Sequence, residues 1–501
     1  MSFNPKALAC IAVTMLHLTF SASLSAQEQL GMRFERSAGL YGAVLNPAQT
    51  AFMPQPWEVN LVSTEVFFEN NYAYLTNTGV LHALGHLDAF VQLSDTTSVS
   101  APFNSGKVKL GYFSGRHPMH GVLKARVTGP GVAIRLGDAH VVGFSTAIRA
   151  ESSSYRLPEA LQAGRLEARK RFEPLRVTPV NAGLLTWGEV ALHYSYRYSG
   201  ELVTIAAGVN PKMLYGFEAG FARSSGNLEF TWTQLDSMTF SSGNWDVAMT
   251  TGNMEAAGQI SAAGHLDAAG MVPQVNGFGA GLDLGVVVAL PDFDDPAEEA
   301  YRWRFGFALN DLGLIRFHRR SEHHHFGFDT LRVVAGTDFS SERDMHKIIE
   351  MANRELLGAI GQSLQAQRFT AALPSALTLQ ADCRVRPNLY LGTVLVQRVP
   401  VGKFAVKRTN TFAVVPRFES RWLSVTAPVV LNDWQSVRVG LAFRLGYLTI
   451  GTDKLNSFAR QDRFTGSDLY VGLKVNGWER RYRPGNGLSR MSRRKIRCSA
   501  F

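Results

Sequence analysis

Residues 190–198 read VALHYSYRY, and large apolar side chains alternate there with small or polar ones. The first set is Val190, Leu192, Tyr194, Tyr196 and Tyr198. The second set is Ala191, His193, Ser195 and Arg197. Because successive side chains of an extended strand point to opposite faces, the stretch predicts a β-strand with one apolar face and one small or polar face.

The same alternation recurs along most of the chain. Residues 303–310 and 437–447 repeat it, and Gly137-Asp138 separates two further alternating runs as the two-residue turn of a hairpin. Roughly fourteen to sixteen such strands fit between Trp57 and Val475. No change of composition marks a second domain. The fold class is therefore predicted to be all-β.

Composition agrees with this prediction. Of the 501 residues, 46 are glycine and 11% are aromatic, which favours strands and tight turns over long helices. After residue 26, no apolar run reaches the length of about eighteen residues that a membrane helix needs. Such a chain can cross a membrane only as a closed β-barrel, because backbone polar groups must be paired there.

Three features favour a membrane barrel over a soluble β-sandwich, which shows the same alternation. The runs often have roughly eight to twelve residues, close to the length of a tilted membrane strand. The polar face mixes arginine with glycine and alanine, which suits a lumen. Aromatic residues near predicted strand ends, as in interfacial girdles, are Trp187, Tyr215, Trp422, Trp434, Tyr470 and Trp478. We predict a single antiparallel transmembrane β-barrel of roughly 14–16 strands, with a soluble exported β protein as the alternative.

The first residues have the pattern of an export signal. Lys6 precedes an apolar stretch over residues 7–20, and small residues follow up to Ala26. Export and a barrel together predict the outer membrane of a Gram-negative-type cell. The predicted segments are a signal peptide (1–26), an N-terminal segment (27–56), a barrel (57–478) and a basic C-terminal tail (479–501).

A turn-rich segment precedes the first predicted strand. Residues 37–51 read SAGLYGAVLNPAQTA and contain Asn46, Pro47 and Ala48. This segment resembles the N-terminal segment of outer-membrane barrels of the long-chain fatty-acid transporter type, in which a glycine-rich run leads to Asn-Pro-Ala. The resemblance implies a hatch-like segment over 27–56 that enters the barrel mouth or lumen. The residues alone are equally compatible with an ordinary loop.

Several short phrases resemble a less characterised branch of these barrels, which has no settled activity and is related to barrels of gliding and type IX secretion machinery. They are Trp187–Glu189 before a tyrosine-rich strand, Leu309–Gly313 closing a strand, Leu373–Leu377 opening another, Ile450–Asp453, and the tail that ends in Cys498 and Phe501. The resemblance implies the barrel fold and indicates no substrate.

Helical pattern is confined to long connections between strands. Ser341 and Asp344 form a capping box, and apolar residues then recur at helical spacing from Met345 to Ile360. A second helical stretch is predicted over 158–172. Each of these one or two helical excursions could cover the barrel mouth, enter the lumen or lie on the surface.

No catalytic or cofactor motif fits its context. GFGAG at residues 277–281 looks like part of a dinucleotide fingerprint, but it leads into an alternating strand instead of a helix. The chain contains no G-x-S-x-G, P-loop or H-E-x-x-H motif. We therefore expect no enzymatic activity and no cofactor.

The stretch HRRSEHHHF, residues 318–326, contains four of the thirteen histidines. Alternating strands flank it, so it is predicted to be an aqueous connection that marks where a strand leaves the membrane. Consecutive residues of an extended segment face opposite sides, so three neighbouring histidines cannot all reach one ion without a special turn. We expect no dedicated metal site, and His323 and His325 are candidates only for adventitious binding.

Polar residues on the predicted inner faces suggest what the barrel could do. The lumen-facing candidates are Arg135, Arg149, His193, Arg197, Asp283, Arg304, Arg438 and Arg444. They predict a mostly positive interior and hence a pore or transporter for small hydrophobic or anionic solutes. Two alternatives stay open: the charges pair and fill a closed barrel, or the barrel is a structural or secretion and motility component that binds periplasmic partners.

The basic tail is the main candidate for partner binding. Residues 478–501 carry eight arginine and lysine residues against the single Glu479. For an exported protein, phosphate-bearing lipid or a periplasmic protein is a more plausible counter-charge than nucleic acid, although a solvated tail fits equally well. The expected partners are outer-membrane lipid, the outer-membrane assembly machinery and a periplasmic protein, with no nucleic acid.

Overall fold

The computed structural model describes residues 28–81, 110–115, 118–159, 162, 174–177, 179–226, 228–234, 237–251, 273–292, 301–335, 345–459 and 462–477. The predicted signal peptide, Trp478, the basic tail and nearly all of the predicted helix over 158–172 lie outside these residues.

The strands are β1 (Trp57–Asn70), β2 (Ala73–Leu75), β3 (Leu110–Tyr112), β4 (His120–Leu136), β5 (His140–Tyr155), β6 (Pro174–Val177), β7 (Asn181–Ser199), β8 (Thr204–Ser224), β9 (Leu228–Gln234), β10 (Ser237–Thr250), β11 (Gly277–Pro291), β12 (Tyr301–Phe317), β13 (Ser321–Phe328), β14 (Arg332–Ala335), β15 (Leu364–Ala366), β16 (Phe369–Ala372), β17 (Ala376–Arg386), β18 (Leu389–Arg398), β19 (Phe404–Ala405), β20 (Thr411–Glu419), β21 (Leu423–Thr426), β22 (Val429–Asn432), β23 (Ser436–Val439), β24 (Leu441–Leu445), β25 (Leu448–Thr452) and β26 (Gly466–Asn476).

These segments form a closed antiparallel barrel of fourteen strands, which confirms the predicted fold class. Closure is made by β1, which pairs with β4 on one side and β26 on the other. The fourteen barrel strands, some of them built from consecutive segments, are β1, β4, β5, β7, β8, β10 with β11, β12 with β13, β15 to β17, β18, β20, β21 with β22, β23 with β24, β25 and β26. The ring leaves no free sheet edge, as a wall in an apolar environment requires.

The apolar faces of the strands point outward. On β7, Leu192 is 60% exposed and Tyr194 is 43% exposed, whereas His193 is 7% and Ser195 is 0% exposed. The same arrangement holds on β12, where Phe305 and Phe307 are exposed. A soluble β-sandwich buries its apolar faces, so this exterior is unlike that alternative and suits a surrounding of lipid.

The two ends of the barrel differ in their connections. At one end, here called the turn end, short turns join β4 to β5, β7 to β8, β17 to β18, β20 to β21 and β24 to β25. At the other end, the loop end, the connections are long, such as residues 71–119 and 399–410. Bacterial outer-membrane barrels have short periplasmic turns and longer extracellular loops.

Exposed aromatic residues do mark the ends of the wall, although two of the predicted ones are misplaced. Trp57, Trp303 and Trp422 are 41%, 44% and 47% exposed near the turn end. Trp187 and Tyr470 are fully buried and face inward, so the prediction that they belong to a girdle is wrong. Tyr470 donates its hydroxyl hydrogen to Asp453 Oδ1 at 3.2 Å, and the Arg149 guanidinium lies over the Trp187 ring at 4.5 Å.

One predicted strand end is instead a bulge. Leu284 pairs with Leu309 and Leu282 pairs with Leu312, so the chain gains a residue at Asn310-Asp311 and the strand continues. Asp311 has φ of 57°, a left-handed conformation that asparagine and aspartate adopt more readily than most residues. Because of the extra residue, the odd-numbered residues of β12 point outward before the bulge and the even-numbered residues point outward after it. The Asp311 side chain therefore lies in the lumen.

The predicted helix in the long connection after β14 is partly correct. Helix α3 covers Met345–Ala352 and continues as a π-helical turn over Asn353–Leu357. Gly358, with φ of 91°, ends it before Ile360. The helix packs through Ile349 against Met249 and Phe326 of the wall. No helix within the described ranges is long and apolar enough to cross a membrane.

The N-terminal segment lies inside the barrel. It comprises α1 (Leu30–Arg33), α2 (Leu40–Ala43) and a 3-10 helix (Pro47–Phe52), and nearly all of its residues are buried. We call residues 28–56 the plug. A second inward segment, residues 399–410 with β19, is called the inner loop, and its β19 pairs in parallel with β16.

Candidate functional site

The plug docks on the wall through Asn46, Pro47 and Ala48. The Asn46 side chain caps the 3-10 helix by accepting from the Ala48 N–H at 3.0 Å, and its Nδ2 donates to the carbonyls of Val286 (3.2 Å) and Phe307 (3.3 Å). The Asn46 side chain therefore both caps the 3-10 helix of the plug and binds this helix to the barrel wall.

Glycines on three neighbouring strands form the notch that receives this turn. A Cβ at Gly208 would collide with the backbone of Pro47 and Ala48, and one at Gly285 would collide with the Asn46 side chain. At Gly306, a Cβ would lie 2.9 Å from Asn46 Nδ2. The wall is thus shaped for close approach of the plug backbone.

Further hydrogen bonds tie the plug to the wall. Thr50 Oγ1 lies 2.7 Å from Ser195 Oγ of β7, and Gln49 Nε2 donates to Gln380 Oε1 of β17 at 2.9 Å. Asn310 Nδ2, from the bulge, donates to the Leu45 carbonyl at 2.9 Å. The plug is therefore fastened by polar contacts to several strands, and its apolar side chains, such as Phe34 and Met53, also pack against the wall.

Asp311 is the centre of a buried ionic network. Its carboxylate lies 2.8 Å from Arg149 Nη1, 2.8 Å from Lys212 Nζ and 3.3 Å from Arg408 Nη1. Arg408 belongs to the inner loop and also makes a bidentate contact with Glu28 of the plug, at 2.8 and 2.9 Å. The network thus joins wall, inner loop and plug.

The complete network is balanced in charge. Its cations are Arg33, Lys124, Arg126, Arg149, Lys212 and Arg408. Its anions are Glu28, Glu65, Glu151, Glu189, Asp283 and Asp311. These six cations and six anions sum to zero, so this part of the interior lacks the positive excess that the sequence candidates predict.

All eight sequence candidates lie in the described wall, and most have polar partners. Arg149 and Asp283 belong to the network, and three further arginines pair with carboxylates: Arg304 is 3.1 Å from Asp382, Arg438 pairs with Glu69, and Arg444 is 2.7 Å from Glu35. The His193 ring lies 2.8 Å from Ser145 Oγ and 2.9 Å from Asn210 Oδ1. Arg197 donates to the Asp138 carbonyl at 3.0 Å, and Arg135 is half-buried. The structure brings Arg149 and Asp283 together and distributes the others around the lumen.

A second cluster lies nearer the turn end and was missed by the sequence reasoning. Arg417 is fully buried between Asp382 and Glu419, each 2.5 Å away. Its guanidinium also lies over the rings of Phe34 and Tyr390, 5.1 Å from each centroid. The alternation of β20 places Arg417 and Glu419 on the same inward face. Asp382 belongs to β17 and Phe34 to the plug, and the local pattern of β20 cannot identify these two partners.

Above the ionic network, toward the loop end, lies an aromatic compartment formed by Trp187, Phe221, Phe317, Phe369 and Phe404. Phe404 of the inner loop contacts Phe221 and Phe369, with centroids 5.8 and 6.0 Å apart. Arg149 lies over Trp187 at 4.5 Å. The compartment therefore borders directly on the cations of the network.

The plug and inner loop leave little free space. The cavity between the plug and the wall has a volume of about 20 Å³ and is lined by polar groups that include Asn60, Glu189 and His193. This is room for about one water molecule. Among the described residues, this cavity therefore has no room for a solute.

The plug carboxylate Glu28 is held ionised. Burial alone would raise its pKa, but the charges of Arg408, Lys124 and Arg33 outweigh burial and lower the pKa of Glu28 to about 2. The contact between plug and inner loop is therefore a fully charged pair at neutral pH.

Only residues 318–320 of the histidine stretch form the predicted connection, and the prediction is wrong for residues 321–326, which lie in a strand. Residues 321–328 form β13, which pairs with β10. His323 Nε2 and His325 Nδ1 face Asp246 at 3.4 and 3.3 Å, while His324, on the opposite face, lies 3.0 Å from Glu322. Pairing with β10 supplies the backbone partners that make the polar stretch extended. The described part of the chain holds no group of three or more histidine, cysteine or acidic side chains arranged to bind a metal ion.

Comparison with known proteins places the sequence in a family. Residues 51–453 match the model of a family described as "Family of unknown function (DUF5723)". No curated protein matches the sequence.

Solved structures similar to this chain include a Pseudomonas aeruginosa FadL homologue, at 12% identity and a TM-score of 0.38, covering 91% of this chain and 98% of that one. The Pseudomonas putida toluene transporter TodX matches at 9% identity and a TM-score of 0.38, covering 90% and 99%. The Ralstonia pickettii toluene transporter TbuX matches at 8% identity and 0.36, covering 91% and 96%. At these TM-scores, the likeness is too loose to transfer the role of those proteins to this chain.

Proposed function

We propose that the chain, which belongs to the DUF5723 family of unknown function, is an outer-membrane transporter whose lumen is closed by a displaceable plug. The proposed solutes are small hydrophobic or anionic compounds. No catalytic step is part of this proposal.

The exterior of the barrel supports the membrane location. Its strands close without an edge, its outward side chains are apolar, and exposed tryptophans lie near the turn end. A surface of this kind is unfavourable in water and favourable in a bilayer. The predicted export signal and the short turns at one end are consistent with an outer membrane.

The observation that carries the transport proposal is the polar attachment of the plug. A barrel with only a structural role can fill its lumen with inward side chains, whereas here a separate segment occupies it. Asn46, Thr50 and Glu28 hold that segment through hydrogen bonds and ion pairs. Such contacts can be exchanged for contacts with water or solute. Displacement of the plug would also uncover apolar side chains that pack against the wall, among them Leu30, Phe34 and Met53.

The position of the aromatic compartment next to buried arginines supports the proposed class of small hydrophobic or anionic solutes. The aromatic compartment lies toward the loop end and would hold an apolar body. Arg149 and Arg408, directly below it, would receive an anionic group. A compound with both parts could replace Asp311 or Glu28 as the partner of these guanidinium groups, which would loosen the plug.

The balanced network and the small cavity favour one alternative, a permanently closed barrel that binds periplasmic partners through its basic tail. A disulfide between plug and wall separates the two functions. Thr50→Cys and Ser195→Cys would place two sulfurs where the hydroxyl oxygens are 2.7 Å apart. The background carries Cys383→Ser and Cys498→Ser.

The measurement is conductance in planar bilayers together with uptake of a fluorescent fatty acid into cells. We expect activity in the reduced variant, its loss on oxidation, and recovery with dithiothreitol. The control pairs Ser195→Cys with Val141→Cys, which lies directly opposite on β5 and bridges two wall strands only. Equal activity of the oxidised and reduced plug variant would overturn the plug as the gate, and an inactive wild-type protein would favour the closed barrel.

A further inference from the structure

A group of basic side chains on the outside of the barrel is used neither by the plug nor by the lumen. We infer that this group binds the phosphate groups of lipid in the membrane leaflet at the loop end. The outer basic cluster is formed by Arg316, His318, Arg319, Arg320 and Arg368, all of them exposed. The inference relies on the membrane location proposed above but not on transport.

The register places the cluster on the outer face of the wall. Arg316 of β12 lies opposite Phe278 of β11 and Thr370 of β16. Phe278 is 46% exposed, and Leu314, two residues before Arg316, is 50% exposed. The bulge at Asn310-Asp311 determines that Arg316 points outward, because without the extra residue its side chain would point into the lumen.

The depth of the cluster corresponds to a membrane surface. Trp303, near the turn end, and Arg316 are both on β12, and the outward residues between them are apolar. Thirteen residues span roughly 43 Å along a strand, or roughly 33 Å along the axis at a tilt of about 40°. The apolar band of such barrels is roughly 25 Å tall. Arg316 therefore lies just beyond the acyl chains, at the level of lipid phosphates.

The charges of the cluster are not neutralised within the described part of the chain. No described carboxylate lies within ion-pair distance of Arg316, Arg319, Arg320 or Arg368. Arg320 Nη1 donates to the side-chain oxygen of Gln274 at 2.8 Å, and His318 Nδ1 lies 3.3 Å from the Arg316 carbonyl. By contrast, inward arginines such as Arg149 and Arg417 each contact two or more carboxylates.

The neighbours of the cluster favour lipid over a soluble anion. Guanidinium groups bind phosphate oxygens through two parallel hydrogen bonds, and several side by side suit a headgroup with more than one phosphate. Phe278 and Leu314, directly below, form an apolar surface on which acyl chains can pack. The His318 ring lies 6.1 Å from the Phe278 ring and links the two regions.

The test is native mass spectrometry of the full-length protein in detergent, titrated with lipid A that carries two phosphates. The variant is Arg316→Gln with Arg368→Gln, on adjacent strands. The matched control is Arg386→Gln with Arg421→Gln, two exposed arginines at the turn end of the barrel. Heat-modifiable gel mobility checks that each variant is a folded barrel.

We expect the wild-type protein and the control to bind lipid A equally, and the variant to bind roughly 10- to 30-fold more weakly. Dephosphorylated lipid A should bind the wild-type protein as weakly as lipid A binds the variant. The inference is overturned if the variant keeps wild-type affinity or if dephosphorylated lipid A binds as well as lipid A. Complete competition by millimolar inorganic phosphate would also overturn it, because the site would then serve soluble anions. If the barrel folds but transports no solute, the lipid A result still stands, because lipid binding does not depend on transport.

Discussion

At the scale of single residues, Asp311 has the most demanding position in the chain. The bulge requires a left-handed backbone there, and three cations converge on its carboxylate. Aspartate satisfies both requirements, because it tolerates positive φ and carries the charge. The conformation of one residue therefore determines both the continuation of β12 and the centre of the ionic network.

Asp311→Asn tests this role of the charge. Asparagine keeps the backbone conformation but leaves Arg149, Lys212 and Arg408 with less buried counter-charge. We expect the free energy of unfolding in urea, followed by tryptophan fluorescence, to fall by about 3–5 kcal/mol. The control is Asp138→Asn, an exposed turn residue, with an expected change within about 0.5 kcal/mol. If Asp311→Asn and Asp138→Asn unfolded at the same urea concentration, this result would contradict a network centred on Asp311.

At the scale of elements, the plug is shaped by the wall as much as by its own sequence. Asn46 and Pro47 start the 3-10 helix, which the sequence alone could predict. The glycines that make room for this turn, Gly208, Gly285 and Gly306, are in three different strands. The plug and its notch are therefore one unit made from distant segments.

Gly285→Ala should loosen this unit, because the new methyl group would collide with the Asn46 side chain. We expect a Thr50→Cys probe to react with maleimide about tenfold faster, since overpacking of this kind costs about 1–3 kcal/mol. Gly220→Ala is the control, because a methyl group at Gly220 would meet no atom within 4 Å. Similar rates in both variants would show that the notch does not hold the plug.

The contact between plug and inner loop should depend on pH in a defined direction. The pKa of Glu28 is lowered from its ordinary value of 4.5 to about 2, so its stabilisation is complete above about pH 4.5 and is lost as the pH falls toward 2. Glu28→Gln should lower the free energy of unfolding by up to about 3 kcal/mol at pH 7.

The same difference between wild-type protein and Glu28→Gln should shrink toward zero near pH 2. Urea titrations at pH 7, 4 and 2.5 measure it. A difference that stays constant over these three values would mean that the charge of Glu28 does not stabilise the closed state.

At the scale of the whole molecule, closure depends on a short ladder between β1 and β26. The pairs are Glu58 with Asn476, Val59 with Val475, Asn60 with Lys474 and Val62 with Leu473. A chain that ends at Trp478 retains all of them and should refold in detergent to a barrel with heat-modifiable mobility. A chain that ends at Tyr470 loses all four residue pairs, so its gel mobility should not change on heating. Failure of the longer chain to fold would assign the basic tail a role in closure.

Much of the architecture is a local property and could be predicted. The alternation at residues 190–198 predicts a strand and its two unlike faces, and the Gly137-Asp138 turn predicts a hairpin, because both depend on neighbouring residues only. The strand count and the inward direction of Arg149 and Arg304 follow from the same period. The helix at Met345 follows from its own spacing.

The contacts that make a site of these residues depend on the tertiary structure. Glu28 and Arg408 are 380 positions apart, and no local period can pair them. The same holds for the histidine stretch, whose polar residues form a strand only because β10 supplies backbone partners. By itself, the sequence determined the strands and which side chains share a face. Only barrel closure decided which charges meet, since ion pairing depends on distance in space and not along the chain.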